Sequence, residues 1–349
     1  MYKMNGRERF CSILEKHHAD RIGFWLGEPT RETVNNYLKE AKAVNRNDLS
    51  VIMNDDLRWI APDFTCWSAE RPMFDVLGGK KRESLSQPGI FADCEDVSEV
   101  ERYTDWPDPI HLDLNKLEAL MDSVHKEGMA VASGMWSCFF HVVADFFGME
   151  NYFVKMYTDP DVVEAVTERV VDFYIAANER IYQQLAGKID TFFMGNDLGT
   201  QRGLIINPEM YRRFVLPGQK RLIMQAKKYG LHVMVHSCGS IYDIIPDLID
   251  AGIEALHPLQ PLATGMNAEN LSQFKKDIAF VGGVDTQKLL VHGTAEEVKR
   301  EVDRLYRSFG DGWIASPSHE GYLPNIPLSN VQAIRDAAMQ HKNSMDNGR

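Results

Sequence analysis

The run Val233-Met234-Val235-His236-Ser237-Cys238-Gly239-Ser240 places an imidazole and a thiol two residues apart at the end of an apolar stretch. Side chains two apart on a strand point the same way, so the two donors converge on one spot. Neutral imidazole and thiolate are what zinc prefers, and a catalytic zinc needs three protein ligands plus an open position. With Val233 and Val235 on one face, His232, Met234, His236 and Cys238 share the other. The simpler description is a buried cysteine beside a core histidine. The strand-end position and the glycine that follows favour metal. His319 is the first choice for the third ligand, with Asp197, Asp285 and Glu320 as alternatives. His319 could instead be a general acid or a substrate's hydrogen-bond partner.

Other groups that could touch a substrate stand at the ends of apolar segments. They lie in Asn54-Asp55-Asp56, Gly195-Asn196-Asp197-Leu198-Gly199, His257-Pro258-Leu259-Gln260, Gly282-Gly283-Val284-Asp285-Thr286-Gln287 and Pro317-Ser318-His319-Glu320. We expect Asp55, Asp56, Asn196 and Gln260 to bind substrate, and Asp197, Asp285 and His319 to act in catalysis. Helix N-caps are the plain alternative for Asp197 and Asp285. The aromatic run Trp136-Ser137-Cys138-Phe139-Phe140 packs a core or, less commonly, lines an apolar pocket. No P-loop or dinucleotide glycine motif is present.

These residues need elements that bring strand ends together. Eight β-type segments can be picked out: Arg21–Leu26, Leu49–Met53, Met129–Ser133, Thr191–Met194, His232–Val235, Gly252–Leu256, Ile278–Val281 and Trp313–Ser316. Helix-type stretches alternate with them, notably Pro160–Ala186, Pro208–Tyr229, Ile241–Ala251, Ala268–Lys276 and Thr294–Phe309. Thr294 followed by Glu297 reads as a capping box. Strand alternating with helix eight times predicts an α/β fold, a single (β/α)₈ TIM barrel over residues 1–349. The stretch from about Asp55 to Asp113 is long, acidic and rich in Pro and Gly, and carries Trp59, Trp67 and Trp106. It is expected to be an insertion after strand 2, a small β excursion with a lid or pocket wall.

At 349 residues the chain suits one barrel domain, and 44% hydrophobic with 25% charged residues is an ordinary globular composition. No apolar run approaches membrane-span length, and the N-terminus lacks a signal peptide's apolar core. Five scattered cysteines read as reduced thiols of a cytoplasmic protein. A net charge of −12 argues against nucleic acid as a partner and weighs against a polyanionic substrate; with no membrane-span run, no membrane partner is expected.

Together these motifs resemble the uroporphyrinogen decarboxylase superfamily. The likeness starts at Arg7-Glu8-Arg9 and Asp20-Arg21-Ile22. It continues through Gly195-Asn196-Asp197-Leu198-Gly199-Thr200-Gln201, His236-Ser237-Cys238-Gly239, Pro258-Leu259-Gln260, Gly282-Gly283-Val284-Asp285-Thr286 and Pro317-Ser318-His319. One branch decarboxylates uroporphyrinogen without a cofactor, using an arginine-bearing N-terminal stretch. The corresponding Trp25-Leu26-Gly27-Glu28-Pro29-Thr30-Arg31 holds one Arg and one Glu, a poor cradle for a polyanion. The other branch comprises cobamide-dependent methyltransferases, whose zinc is held by a His-x-Cys pair and a later Cys. His236 and Cys238 match that pair, while His319 stands near the place of the later Cys. Imidazole in place of thiolate removes a negative charge, which suits a zinc that polarises a methyl donor for attack by Co(I).

The resemblance therefore implies a zinc methyltransferase working with a cobalamin-type corrinoid, free or on a corrinoid protein. It also implies a small methyl donor or thiol acceptor and a homodimer. Asp197 and Asp285 would orient substrate or ligands. The alternatives are a decarboxylase in which Asp55 or Asp56 stabilises a cationic pyrrole, and a corrinoid- or porphyrin-binding protein without catalysis.

Overall fold

A computed structural model of the protein describes residues 3–68 and 72–341. Among them, eight parallel strands form a nearly closed barrel: β1 (Gly23–Phe24), β2 (Leu57–Trp59), β3 (Ala130–Ser133), β4 (Thr191–Gly195), β5 (His232–His236), β6 (Ala255–Leu259), β7 (Ala279–Val284) and β8 (Trp313–Pro317). Their order is β1-β8-β7-β6-β5-β4-β3-β2, so β1 and β2 flank the one seam that no strand ladder closes. The strands β3, β4, β6, β7 and β8 are buried along their whole length. That is why they read as continuous apolar runs: helices cover the outside of a parallel barrel and side chains fill the inside. Alternate residues such as Ala132, Phe193, Met234 and Val281 fill the interior. Phe10, Ile13 and Leu14, from the helix Gly6–Leu14, join the same interior cluster and stopper the N-terminal end.

Seven strands lie where the apolar pattern predicts them, with edges shifted by up to three residues. Strand 2 does not. Residues 49–53 belong to a helix, Arg46–Met53, whose N-cap Asn45 accepts from the Asp48 amide and whose C-cap Asn54 is left-handed at φ +57°. The true β2 has three residues and begins after Asp55 and Asp56. Both carboxylates therefore sit at the N-terminal, bottom end of the barrel instead of its mouth.

There they close the seam. The Asp56 amide donates to the Phe24 carbonyl at 2.9 Å, and the Asp56 carboxylate accepts from the Phe24 amide at 2.8 Å. Asp55 accepts from the Leu26 amide and from the Ser50 hydroxyl. Burial pushes the Asp55 carboxyl up to about 6, although Arg46, Ser50 and the Leu26 amide pull the other way.

The long segment between β2 and the helix Leu114–Lys126 has short helices at Pro62–Thr65 and Val97–Arg102. Among its described residues, an isolated antiparallel bridge between Trp67 and Leu112 takes the place of the expected β excursion. Trp106 packs against Phe91, Tyr103 and Phe146, and Trp67 against Phe173. Two of the three tryptophans thus anchor this segment on the flank of the barrel, on helices Phe139–Phe147 and Pro160–Leu185. Trp59 alone turns inward, against Trp136 and Phe193.

The helix Ala295–Phe309 starts with the capping box read from the sequence: Thr294 accepts from the Glu297 amide, and Glu297 accepts from the Thr294 amide. Thr294→Ala removes one half of it. We expect a loss of about 1 kcal/mol, read as a lower urea midpoint at unchanged slope. An unmoved midpoint would show that the cap contributes nothing to stability.

Candidate metal centre

His236 closes β5 with its side chain pointing into the barrel, one layer above Met234. Two residues on, Cys238 follows on the same side. Its Sγ lies 3.1 Å from His236 Nε2 and 3.2 Å from His319 Nε2. The three ligand atoms fall within 4.8 Å of one another. His319 arrives from the loop after β8. Ser318 holds that loop by donating its amide to the Val284 carbonyl at 2.7 Å and accepting from the Thr286 amide at 3.0 Å.

The turn after Cys238 is equally constrained. Gly239 has φ +79°, and a Cβ there would come within 2.5 Å of the Gly199 backbone. Gln260 accepts from the Gly239 amide at 2.7 Å. Asp197 accepts from the Cys238 amide at 3.1 Å and stands 3.1 Å from His236 Nε2. Burial works to raise the Asp197 carboxyl, but the hydrogen bond and charge of His236 and the Cys238 amide hold it well below the usual carboxylate range. Burial likewise opposes charge on His236, yet Glu320, Cys238 and Asp197 hold it well above an ordinary histidine.

A second ring completes the inner side. His257 on β6 pairs in register with His236 on β5, and their Nδ1 atoms are 3.0 Å apart. Glu320 Oε2 lies 3.5 Å from His236 Nδ1 and 3.8 Å from His257 Nε2. Burial first, then the charges of His236 and His319, push His257 well below the ordinary histidine value, so it is neutral. The floor below is aromatic. Phe193 meets Trp25, Trp59, Trp136 and His257 at ring-centroid distances of 5.3–6.1 Å, and Trp136 covers His236 at 5.1 Å. Gly195 makes room, because a Cβ there would fall 2.3 Å from the Trp136 ring.

The residues named from sequence therefore divide. His236, Cys238, His319 and Asp197 meet at the mouth, and Gln260 holds the turn that carries Cys238. Asn196 is buried one residue before Asp197, but its amide is spent on the Phe140 amide at 2.9 Å and the Ser137 carbonyl at 3.2 Å. Both bonds pin the loop after β3. Asp285 is likewise turned away from the cluster. Its carboxylate accepts from the amides of Gln287, Lys288 and Leu289, and so orders the start of the next helix. Asp55 and Asp56 lie at the far end of the barrel.

From the strand-end motif His257-Pro258-Leu259-Gln260 the sequence singles out Gln260, whereas His257 lies inside β6 (Ala255–Leu259) and is the residue that meets His236. Asp63, beyond the true β2, was missed. It accepts from the Trp136 amide at 2.7 Å, and burial pushes its carboxyl up to about 7.

Three N and S donors of these types, this close together, fit a zinc ion with an open position. A match to known proteins agrees with the fold. The uroporphyrinogen decarboxylase (URO-D) family model matches residues 85–341. The chain is 22% identical over 281 residues to a methylcobamide:CoM methyltransferase, MtbA, of Methanosarcina acetivorans, covering 79% of this chain and 78% of that protein. It is 24% identical over 282 residues to a methylated-thiol–coenzyme M methyltransferase of Methanosarcina mazei, covering 76% and 70%. A solved methyltransferase from Methanosarcina mazei superposes with a TM-score of 0.63 at 14% identity, covering 97% of this chain and 99% of that one.

Proposed function

The chain belongs to the uroporphyrinogen decarboxylase family, and on that premise we propose that it is a zinc-dependent methyltransferase, moving a methyl group between a small donor or thiol acceptor and a corrinoid. One observation carries the reading: His236, Cys238 and His319 present three ligand atoms within 4.8 Å at the C-terminal mouth of a barrel. Relatives named as methylcobamide:CoM methyltransferases support it. Bound zinc would supply a Lewis acid for the heteroatom that carries or receives the methyl group.

The protein's own groups do the rest. Asp197, ionised and nearly half exposed, is placed to accept a hydrogen bond from a substrate amine or hydroxyl beside the ligands. The Phe193 and Trp136 rings exclude water from below. Phe64, Leu262 and Leu323, exposed in the segments after β2, β6 and β8, offer an apolar rim for a corrinoid face, whether free or on a carrier protein. The decarboxylase alternative finds no comparable support. Arg46 and Arg58, near the segment after β1, are engaged with Glu28 and Asp55, and Asp55 and Asp56 lie at the opposite end of the barrel.

The test is to mix zinc-loaded protein with Co(I) cobalamin and a panel of methyl ethers, methylamines and methyl thioethers. Zinc-dependent loss of the Co(I) absorbance with at least one donor is the expected result. Decarboxylation of uroporphyrinogen, with no methyl transfer from any donor, would overturn the proposal.

A further inference from the structure

We infer that Glu320 is the positioning carboxylate of this centre, orienting the rings of His236, His257 and His319 and supplying the negative charge that an imidazole at residue 319 leaves out. The inference rests on the metal reading of the site given above. One oxygen carries the geometry. Glu320 Oε2 is 3.4 Å from His319 Nδ1, 3.5 Å from His236 Nδ1 and 3.8 Å from His257 Nε2. It faces the outer nitrogens of both imidazole ligands at once.

Among the buried side-chain atoms without a hydrogen-bond partner in the described residues, two lie 3.8 Å apart at this site: Glu320 Oε2 and His257 Nε2. Leaving a buried carboxylate oxygen without a donor is strongly unfavourable. Proton placement on the rings resolves it. When His236 Nε2 gives its lone pair to a metal, the ring's proton must sit on Nδ1, where His257 Nδ1 and Glu320 are the acceptors. If His257 Nδ1 accepts a hydrogen bond from it, the single proton of the His257 ring sits on Nε2, facing Glu320. The same logic applies to His319. Its Nδ1 accepts from the Gly321 amide at 3.0 Å, which leaves the proton on Nε2, toward Cys238. Ligation through Nε2 moves that proton to Nδ1, which gives up the bond from the Gly321 amide, and Glu320, 3.4 Å away, is the carboxylate that can accept it.

Charge gives a second reason. A divalent ion with one thiolate and two neutral imidazoles keeps one positive charge, which Glu320 offsets from the inner side of the ligands as Asp197 does from the mouth. Backbone contact fixes its place. The Glu28 amide donates to the Glu320 carbonyl at 3.1 Å, and Gly27 at φ +82° lets the two loops touch, since a Cβ there would lie 3.1 Å from that carbonyl oxygen.

The test titrates Zn²⁺ and Co²⁺ into purified wild type, Glu320→Gln, Glu320→Asp and Cys238→Ala against a chromophoric chelator, and records the Co²⁺–thiolate absorption. Glu320→Gln is expected to weaken metal binding about 10- to 100-fold and to shift the Co²⁺ spectrum. Glu320→Asp should fall between it and wild type, and serves alone if Glu320→Gln does not fold. Wild-type affinity with an unchanged spectrum in both glutamate variants would overturn the role of Glu320. Undiminished binding by Cys238→Ala would instead overturn the metal reading itself, and this inference with it.

Discussion

Cys238→Ala is expected to take bound zinc from about one per chain to near none after dialysis, and methyl transfer to Co(I) cobalamin down with it. The sulfur is the middle donor, 3.1 Å from one imidazole nitrogen and 3.2 Å from the other. Without it, two imidazoles remain, and no charged ligand among them offsets the desolvation of a divalent ion. Losing an outer partner of a ligand costs about 10- to 100-fold in affinity, so losing the ligand itself should cost more than about 100-fold. The fold should survive. The bond from residue 238 to Asp197 uses the backbone amide, which alanine keeps, and the side chain is only partly buried. Metal analysis beside a thermal melt reads both quantities. A folded variant that retains its full zinc would sink the assignment of Cys238.

Asp56→Ala should act at the other end of the barrel and on stability alone. The Asp56 carboxylate accepts from Arg9 Nη1 at 2.6 Å, from Arg21 Nη1 and Nη2 at 3.0 and 2.9 Å, and from the Phe24 amide at 2.8 Å. Its side chain is 1% exposed, and that of Arg9 is 3% exposed. Removing one partner of a buried pair costs about 3–5 kcal/mol when the other charge is left alone; Arg9 keeps Asp20, 2.6 Å from its Nε, which puts the expected loss at the low end of that range. Here it also breaks a bond across the β1–β2 seam, which no ladder closes. For a chain of this length that loss lowers Tm by roughly 5 °C. Zinc affinity of the folded variant should match wild type, because the mouth is untouched. A melt within about 1 °C of wild type would show that the seam does not depend on this carboxylate. A folded variant with intact zinc but no substrate binding would restore the substrate role first expected of Asp56.

Much of the barrel was legible because its strands are covered on both sides, and such strands must be apolar throughout. β2 escaped notice because three residues carry no period, while the apolar run of residues 49–53 fits strand and helix alike. Asn45 before Asp48 was the available signal, an N-cap that turns the run into a helix. That single error moved Asp55 and Asp56 from the bottom of the barrel to its mouth. A carboxylate after an apolar run can also order the turn before a helix, as Asp285 does, and spacing alone does not separate that role from a catalytic one.

What the sequence determined by itself is what covalent geometry enforces over short distances. His236 and Cys238 converge because the pleat repeats every two residues, and Thr294 caps its helix because Glu297 is one turn away. What only the tertiary structure decided are meetings between residues far apart in the chain. His257 reaches His236 across 21 residues through the register of β5 on β6, and His319 reaches Cys238 across 81. Glu320 comes to stand against three rings because Gly27 lets the loops after β1 and β8 touch. Such contacts depend on strand registration and loop packing, which the whole barrel sets together and no local pattern encodes.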